Sequence, residues 1–439
     1  MNILFVHQNF PGQFQRLAPA AQAAGHQVMG LGIAEHGAAL GVPYMRYSVS
    51  RANGRDIHPW VLDFETKVAR GEACARAAVA LRDHHGFRPD LIVVHPGWGE
   101  SMFLRDVWPD ARQLHYVEYF YGLHGQDIGF DPEFDPKGAD EAWRIRAKNA
   151  NNLIALTEMD WGLSPTAWQR SLVPTQFQDR ISVIHDGIDT LALKPDTDAR
   201  LAYRDQQGRT VALSRRDEVM TFCARNLEPM RGYHQFMRVL PMLMQRRPRA
   251  RVVIIGGDAA SYGWAPKGIS WKQHMLNEIG DALDLSRVHF LGRVPYPVFR
   301  SALQVSSLHV YLSYPFVLSW SLLEAMALGT PILAADTAPV REVIEDGKTG
   351  LLRDFFDRDG LVEAAVDLLA KPSWATEISA RARARVVSGY DLKTVTQPGL
   401  LRLIERCGAA LRAPHARLGD PGITPSDTGS PASPHPPAS

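Results

Sequence analysis

Short, largely apolar runs alternate with longer amphipathic stretches along almost the whole chain. In the first half the runs are Ile3–Val6, Val28–Ile33, Leu91–His95, Gln113–Val117, Leu153–Leu156 and Ser182–Ile184. In the second they are Met220–Ala224, Val252–Ile255, His289–Leu291, Leu308–Leu312 and Ile332–Ala335. Runs of this kind predict strands buried on both faces of a parallel sheet. Helical periodicity fills the intervals at Phe14–Ala24, Asp63–His85, His234–Arg246 and Gly360–Ala370. The alternation predicts an α/β protein. Its repetition on either side of about residue 190 predicts two doubly wound, Rossmann-like domains facing a cleft. The expected organisation is a first domain over 1–189 and a second over 190–390, with the linker in the polar, aperiodic stretch at about 190–217. A helix over 391–412 should pack back toward the first domain. Residues 413–439 are rich in Pro, Ser, Gly and Asp, and a segment of that composition is expected to be disordered.

The length of 439 residues suits two domains rather than one core. No apolar run reaches the roughly 18–20 residues of a membrane span. The opening MNILFVHQNF has no basic n-region and reads as a first strand, not a signal peptide. Cys74, Cys223 and Cys407 are far apart and unpaired in spacing, which predicts neither disulfides nor a zinc site and fits the cytoplasm. The tail has neither an apolar face nor a basic cluster, so membrane contact is expected to be at most peripheral, at the inner face. A net charge of +1 gives no field for nucleic acid. The distribution is uneven: residues 1–190 hold 17 basic and 22 acidic side chains, and the remainder 31 and 25. An anionic ligand is therefore expected on the second half.

The chemistry-bearing segments sit at the ends of the expected strands. SYPFVLSWSLLEAMALGTPILAAD (313–336) reads as a loop after a strand, a helix from Ser319 to Leu328, a glycine stop at Gly329 and another strand. A helix opening at a strand's carboxyl end offers unpaired N–H groups and a positive dipole end to a phosphate, here near Leu318 and Ser319. Glu324 lies about one and a half turns in, within reach of ribose hydroxyls. In FCARNLEPMRGYHQF, Arg225 and Arg231 flank a turn ahead of a helix that starts near Tyr233, which makes a compact anion site. In the first half, HQNFPGQFQRLA places Asn9, Pro11 and Gly12 in a strand-to-helix loop, where a small residue lets backbone approach a ligand. HPGWGE supplies His95, Trp98 and Glu100 at another strand end, and HYVEYFYG sets Glu118 among Tyr116, Tyr119, Phe120 and Tyr121. Aromatic rings beside carboxylates suit a carbohydrate, with its apolar faces and hydroxyl edges. Taken singly, each residue has a plainer reading: Glu324 as a solvated helix glutamate, the arginines as surface residues, the aromatics as core. Other motifs fail. Gly347-Lys348-Thr349 lacks the first glycine of a P-loop, since residue 342 is Glu342. Asp357-Arg358-Asp359 reads as a solvated turn, and no Gly-x-Gly-x-x-Gly follows the first strand.

At this point the residues resemble a known family. LLEAMALGTPILAADTAPVREVIEDGKTGLL is similar to the donor-site segment of the family-4 glycosyltransferases, retaining enzymes of the GT-B fold. FCARNLEPMRGYHQFMRVLPML resembles their phosphate-binding strand and loop, VIHDGID their interdomain hinge, and HFLGRVP their base-binding turn. The resemblance covers most of the chain. It implies a metal-independent, hexosyltransferase-like enzyme that moves a sugar from a nucleotide-sugar donor to a glycan, lipid-linked or small-molecule acceptor, with no further cofactor. It assigns Arg225 and Arg231 to the diphosphate, surrounds the donor with Gly12, Leu318, Ser319, Glu324 and Phe316, and makes Glu118 a partner of the acceptor hydroxyl or a shield of the reacting carbon. His95, Trp98, Glu100 and Tyr119 become acceptor-side candidates. Arg231 stands where the family usually has lysine. Phe316 stands where it has a first glutamate, eight positions before the second, and can offer only packing. A non-catalytic nucleotide-sugar binder and a sugar-nucleotide epimerase of the same fold are the alternatives.

Overall fold

The computed structural model describes residues 1–35, 40–134, 138–204, 208–261 and 266–409. The expected tail at 413–439, and the end of the expected helix beyond 409, lie outside the described residues. Seven strands form the first sheet: β1 (Asn2–Val6), β2 (Gln27–Gly32), β3 (Tyr44–Arg46), β4 (Leu91–Val94), β5 (Arg112–Tyr116), β6 (Trp161–Ser164) and β7 (Ile181–Val183). A hairpin follows, β8 (Arg200–Arg204) and β9 (Thr210–Ser214). Six strands form the second sheet: β10 (Val219–Asn226), β11 (Arg251–Gly257), β12 (Val288–Gly292), β13 (Leu308–Tyr311), β14 (Ile332–Ala335) and β15 (Leu351–Arg353).

Both large sheets are parallel. Their orders are β3-β2-β1-β4-β5-β6-β7 and β12-β11-β10-β13-β14-β15. Each therefore reverses direction once, between β1 and β4 and between β10 and β13. Crevices outside the carboxyl ends of strands at such reversals are where open α/β sheets bind ligands.

Burial explains why the apolar runs form these strands. Ile3 and Phe5 pack on one face with Phe14 and Leu17, while Leu4 and Val6 pack on the other with Cys74 and Ala78 of the helix Leu62–His84. In the second sheet Met220 and Phe222 face the helix Tyr233–Arg246, and Cys223 and Val253 face the helix Trp320–Ala327. Beyond the bridge between Ile188 and Asp391, the helix Gln397–Ala409 lays Leu400, Leu403 and Ile404 into the cluster of Ile3 and Phe5. The chain thus ends its described course on the first sheet.

Two expectations need correction. Leu153–Leu156 is helical, within Ala150–Glu158, and the strand of that region is β6. An apolar run of four fits either period, and here Ala155 and Leu156 turn inward together, one face of a helix. The stretch at 190–217 is not an open linker. Leu201 of β8 and Leu213 of β9 are buried in the second core, which makes the hairpin part of that half. Among the described residues no helix is long and apolar enough to cross a membrane.

Candidate active site

The loops leaving the carboxyl ends of β1, β4, β5, β10 and β13 meet at a cleft of ≈ 590 Å³ between the two halves. On the second half, Arg225, next to last in β10, lines the cleft, and among the described residues it has no pairing partner. Arg231 ends a single 3₁₀ turn, Pro229–Arg231. Its Nη1 donates to Ser313 Oγ at 3.2 Å and to the Val317 carbonyl at 3.4 Å, and its guanidinium lies 5.7 Å from the Phe316 ring centre. Gly232 makes that turn possible: its φ is +72°, and a Cβ there would stand 2.2 Å from Leu312. The helix Trp320–Ala327 begins beside them, and the Ser319 Oγ caps it by accepting from the Ser321 N–H at 3.3 Å. Leu318 lines the cleft next to that start. Two guanidiniums and a helix amino terminus on one wall have the chemistry to hold an anion.

The opposite wall carries a chain of hydrogen bonds. His7 Nδ1 accepts from the Asn9 N–H at 2.9 Å, so its proton sits on Nε2, which donates to Gln13 Oε1 at 2.6 Å. Gln13 Nε2 then donates to Glu118 Oε1 at 2.7 Å. The other carboxylate oxygen of Glu118 is 3.4 Å from His95 Nε2, and His95 Nδ1 accepts from the Gly97 N–H. Burial, reinforced by His95, pulls the His7 pKa down to about 3, so the ring is neutral. Burial alone would raise the Glu118 pKa. His95 and Gln13 outweigh it and hold this carboxyl below its ordinary value. Gly12 has φ +46°, and a Cβ there would meet the His7 ring at 2.2 Å, so the imidazole takes the space of a side chain. The His95 ring stacks on Trp98 with centres 4.3 Å apart.

Tyr119 and Phe316, drawn from opposite halves, meet with ring centres 4.8 Å apart. Glu324 is buried; its Oε1 accepts from Tyr296 OH at 2.8 Å, and it is not among the residues lining the cleft. Burial raises its pKa, against Tyr296 and Arg16. Glu100 must be withdrawn from the acceptor side. It is fully buried, its Oε1 accepts from Tyr47 OH at 3.0 Å, and it lines neither the cleft nor the pocket beside it. The turn at Gly99 (φ +105°) sends it inward.

Several participants were not visible in the sequence. His7 and Gln13 belong to a loop read only for its small residues. Asp186, in the HDGID segment, accepts from Tyr116 OH at 3.0 Å and from Trp320 Nε1 at 2.8 Å, which ties the first sheet to the start of the donor-side helix. Burial pushes its pKa up to about 6. Arg16 donates to the Gly187 carbonyl and stands 5.9 Å over the Trp320 ring.

An arm of the first half also crosses to the second. Phe130 packs on Tyr314 and Phe355, and Phe134 on His234 and Trp271. Between them Asp131 accepts from Tyr314 OH at 3.0 Å and lies 2.9 Å from His234 Nε2. Glu133 takes two bonds from Arg238 at 2.7 and 2.6 Å. Among the described residues no three His, Cys, Asp or Glu side chains gather as a metal site.

Residues 24–193 match the family described as Glycosyl transferase family 4 group, and residues 206–385 match Glycosyl transferases group 1. The GDP-mannose-dependent alpha-(1-6)-phosphatidylinositol monomannoside mannosyltransferase of Mycolicibacterium smegmatis is 25% identical over 279 residues, 57% of this chain and 69% of that protein. The D-inositol 3-phosphate glycosyltransferase of Mycobacterium avium is 29% identical over 217 residues, 49% of this chain; the match spans 47% of that protein, about half its length. In fold, the chain is similar to sucrose-phosphate synthase from Thermosynechococcus elongatus (TM-score 0.69, 17% identity, 92% of this chain and 98% of that one). It is also similar to HepE of Anabaena, solved in complex with UDP-glucose (TM-score 0.63, 14% identity, 92% and 100%). Two family matches that between them take in most of both halves, on two parallel sheets of this order, place the chain in the family-4 glycosyltransferases of the GT-B fold.

Proposed function

We propose that the chain transfers a sugar from a nucleoside-diphosphate sugar to an acceptor hydroxyl, with retention of the anomeric configuration and without a metal. The observation that carries this reading is Arg225, unpaired among the described residues, beside Arg231 and the helix start at Ser319, in one cleft with Glu118. The diphosphate binds the second half. As the bond from the anomeric carbon to the phosphate oxygen breaks, both guanidiniums and the helix N–H groups stabilise the charge on the leaving diphosphate. The acceptor oxygen bonds to the anomeric carbon from the same face, and its proton passes to the departing phosphate oxygen. Glu118, held ionised, accepts a hydrogen bond from the acceptor hydroxyl and orients it. Asp186 and Trp320, bonded across the halves, keep the helix start in register with the first sheet. The relatives' printed names supply candidates for the donor, GDP-mannose and UDP-glucose.

The test is nucleoside diphosphate release from a panel of GDP- and UDP-sugars, with the product's anomeric configuration read by NMR. Arg225→Ala should lower kcat/KM about a hundredfold or more, the scale of losing one donor to a developing oxyanion. Binding of a donor in calorimetry with no turnover of any panel member would favour the non-catalytic binder, the alternative that Phe316 supports. Activity of folded Arg225→Ala within threefold of wild type would remove the clamp assignment.

A further inference from the structure

A second pocket of ≈ 200 Å³ adjoins the donor cleft. Its walls include Trp98, Tyr119, Phe120, Tyr121 and Phe316, and its one carboxylate is Glu118. Trp98, Glu118 and Val317 line both spaces, so the pocket opens where the two substrates must meet. The volume is below the roughly 300–1,000 Å³ of sites for drug-sized ligands, on the scale of a single ring.

The charge of these walls is more selective than their shape. Proteins recognise phosphate esters with arginine, lysine or helix amino termini. Among the described residues lining this pocket there is no lysine or arginine. Arg231 approaches the Phe316 ring and lines the donor cleft instead. Lys148 is 4.2 Å from the Tyr121 ring centre without lining the pocket, and burial disfavours its charge. The one carboxylate lining the space is Glu118, whose pKa is held low by His95 and Gln13 against burial, and the His95 ring that also lines it lies 3.4 Å from that carboxylate. A phosphate placed here would find no lysine or arginine among the described lining residues and a carboxylate at close range. A neutral sugar ring would find aromatic faces for its C–H surface, with Glu118 and Asn152 for its hydroxyls.

We propose that this pocket is the acceptor subsite and that it takes a neutral, unphosphorylated sugar or cyclitol ring, whose reacting hydroxyl donates to Glu118. The inference rests on the transferase reading above and adds the acceptor's class.

The experiment measures nucleoside diphosphate release by the full chain with its best donor. The added acceptors are methyl glucoside, methyl mannoside, methyl galactoside and myo-inositol, each compared with glucose 6-phosphate, mannose 6-phosphate, galactose 6-phosphate and myo-inositol 1-phosphate. At least one neutral ring should accelerate release, with kcat/KM tenfold or more above its phosphorylated counterpart. Tyr121→Leu, which keeps an apolar wall without an aromatic face, should raise the KM for that acceptor at least fivefold and leave the donor KM unchanged. Equal or better use of the phosphates overturns the proposal, and so does failure of every neutral ring while water still releases nucleotide from the donor. A Tyr121→Leu effect confined to the donor KM also overturns it, because the pocket would then hold the donor's own sugar. Absence of release from every donor sinks the transferase reading instead, so the two failures are distinguishable.

Discussion

Asp131 is the residue whose loss should register most clearly in both stability and donor binding. Its side chain is 2% exposed and lies between two elements of the other half. It accepts from Tyr314 OH at 3.0 Å and from the Glu133 N–H at 3.1 Å, and His234 Nε2 lies 2.9 Å from it. Burial disfavours its charge, but His234, Glu133 and Tyr314 outweigh that and keep its pKa below the ordinary value. Asp131→Ala would strand these buried groups. Burial lowers the His234 pKa despite Asp131, so the loss leaves neutral buried groups without their acceptor rather than a stranded charge. At about 1–3 kcal/mol for each of Tyr314 and His234, and about 2–4 °C per kcal/mol for a domain of 150–250 residues, the melting temperature should fall by about 4–24 °C. Tyr314→Phe, which removes one bond to the carboxylate, should cost about 1.5–3 kcal/mol. The same contact has a functional consequence, because Tyr314 belongs to the loop whose Ser313 and Val317 hold Arg231. Below its melting temperature, Asp131→Ala should therefore raise the donor KM more than it lowers kcat. Differential scanning calorimetry and steady-state kinetics give both readouts. A melting temperature within 2 °C of wild type, or an unchanged donor KM in the folded variant, would refute the reasoning.

Two further outcomes follow from the buried carboxyl of Asp186 and from Phe316. The Asp186 pKa is raised from 3.8 to about 6, so its protonated form is favoured on folding. That stability is fully present below 3.8 and is lost as pH rises through about 6; Asp186→Asn should accordingly raise the melting temperature relative to wild type at pH 8, and a gain that does not shrink toward pH 5 would contradict this. Phe316→Ala, which removes one wall of the proposed acceptor pocket, should raise the acceptor KM and leave the affinity for bare nucleoside diphosphate nearly unchanged; calorimetry showing a loss of bare nucleotide equal to that of Arg225→Ala would place Phe316 in the nucleotide pocket.

The strands buried on both faces were legible because each is a compact apolar run. Those built from small or half-exposed residues were not. In β6, a Cβ on Gly162 would stand 2.7 Å from Ile181, so the strand needs a glycine and loses its apolar mark. The hairpin β8–β9 hides for a different reason: on each strand one leucine, Leu201 or Leu213, is fully buried amid exposed neighbours. In the cleft, the anion wall was readable because Arg231, Gly232 and the Ser319 cap are local features with local causes. The chain His7–Gln13–Glu118–His95 joins three loops separated by up to 105 positions, and no window of sequence contains it. Glu100 misled because it sits two positions from Trp98, while the glycine between them reverses the direction of its side chain.

Phe316 changes how recognition is divided between the halves. Its ring is packed between Arg231 of its own half and Tyr119 of the other. It therefore cannot offer a hydroxyl partner, and among the described residues the carboxylate that lines both cleft and pocket is Glu118 of the first half. On the reading proposed above, phosphate affinity then resides on the second half and hydroxyl recognition on the first, in keeping with 31 basic residues after position 190 and an acidic excess before it. On that reading neither half alone holds a complete donor in reacting geometry. The bonds that join them at the cleft, Asp131 to Tyr314 and Asp186 to Trp320, are on this argument part of the donor site, since they set the distance between the guanidiniums and Glu118.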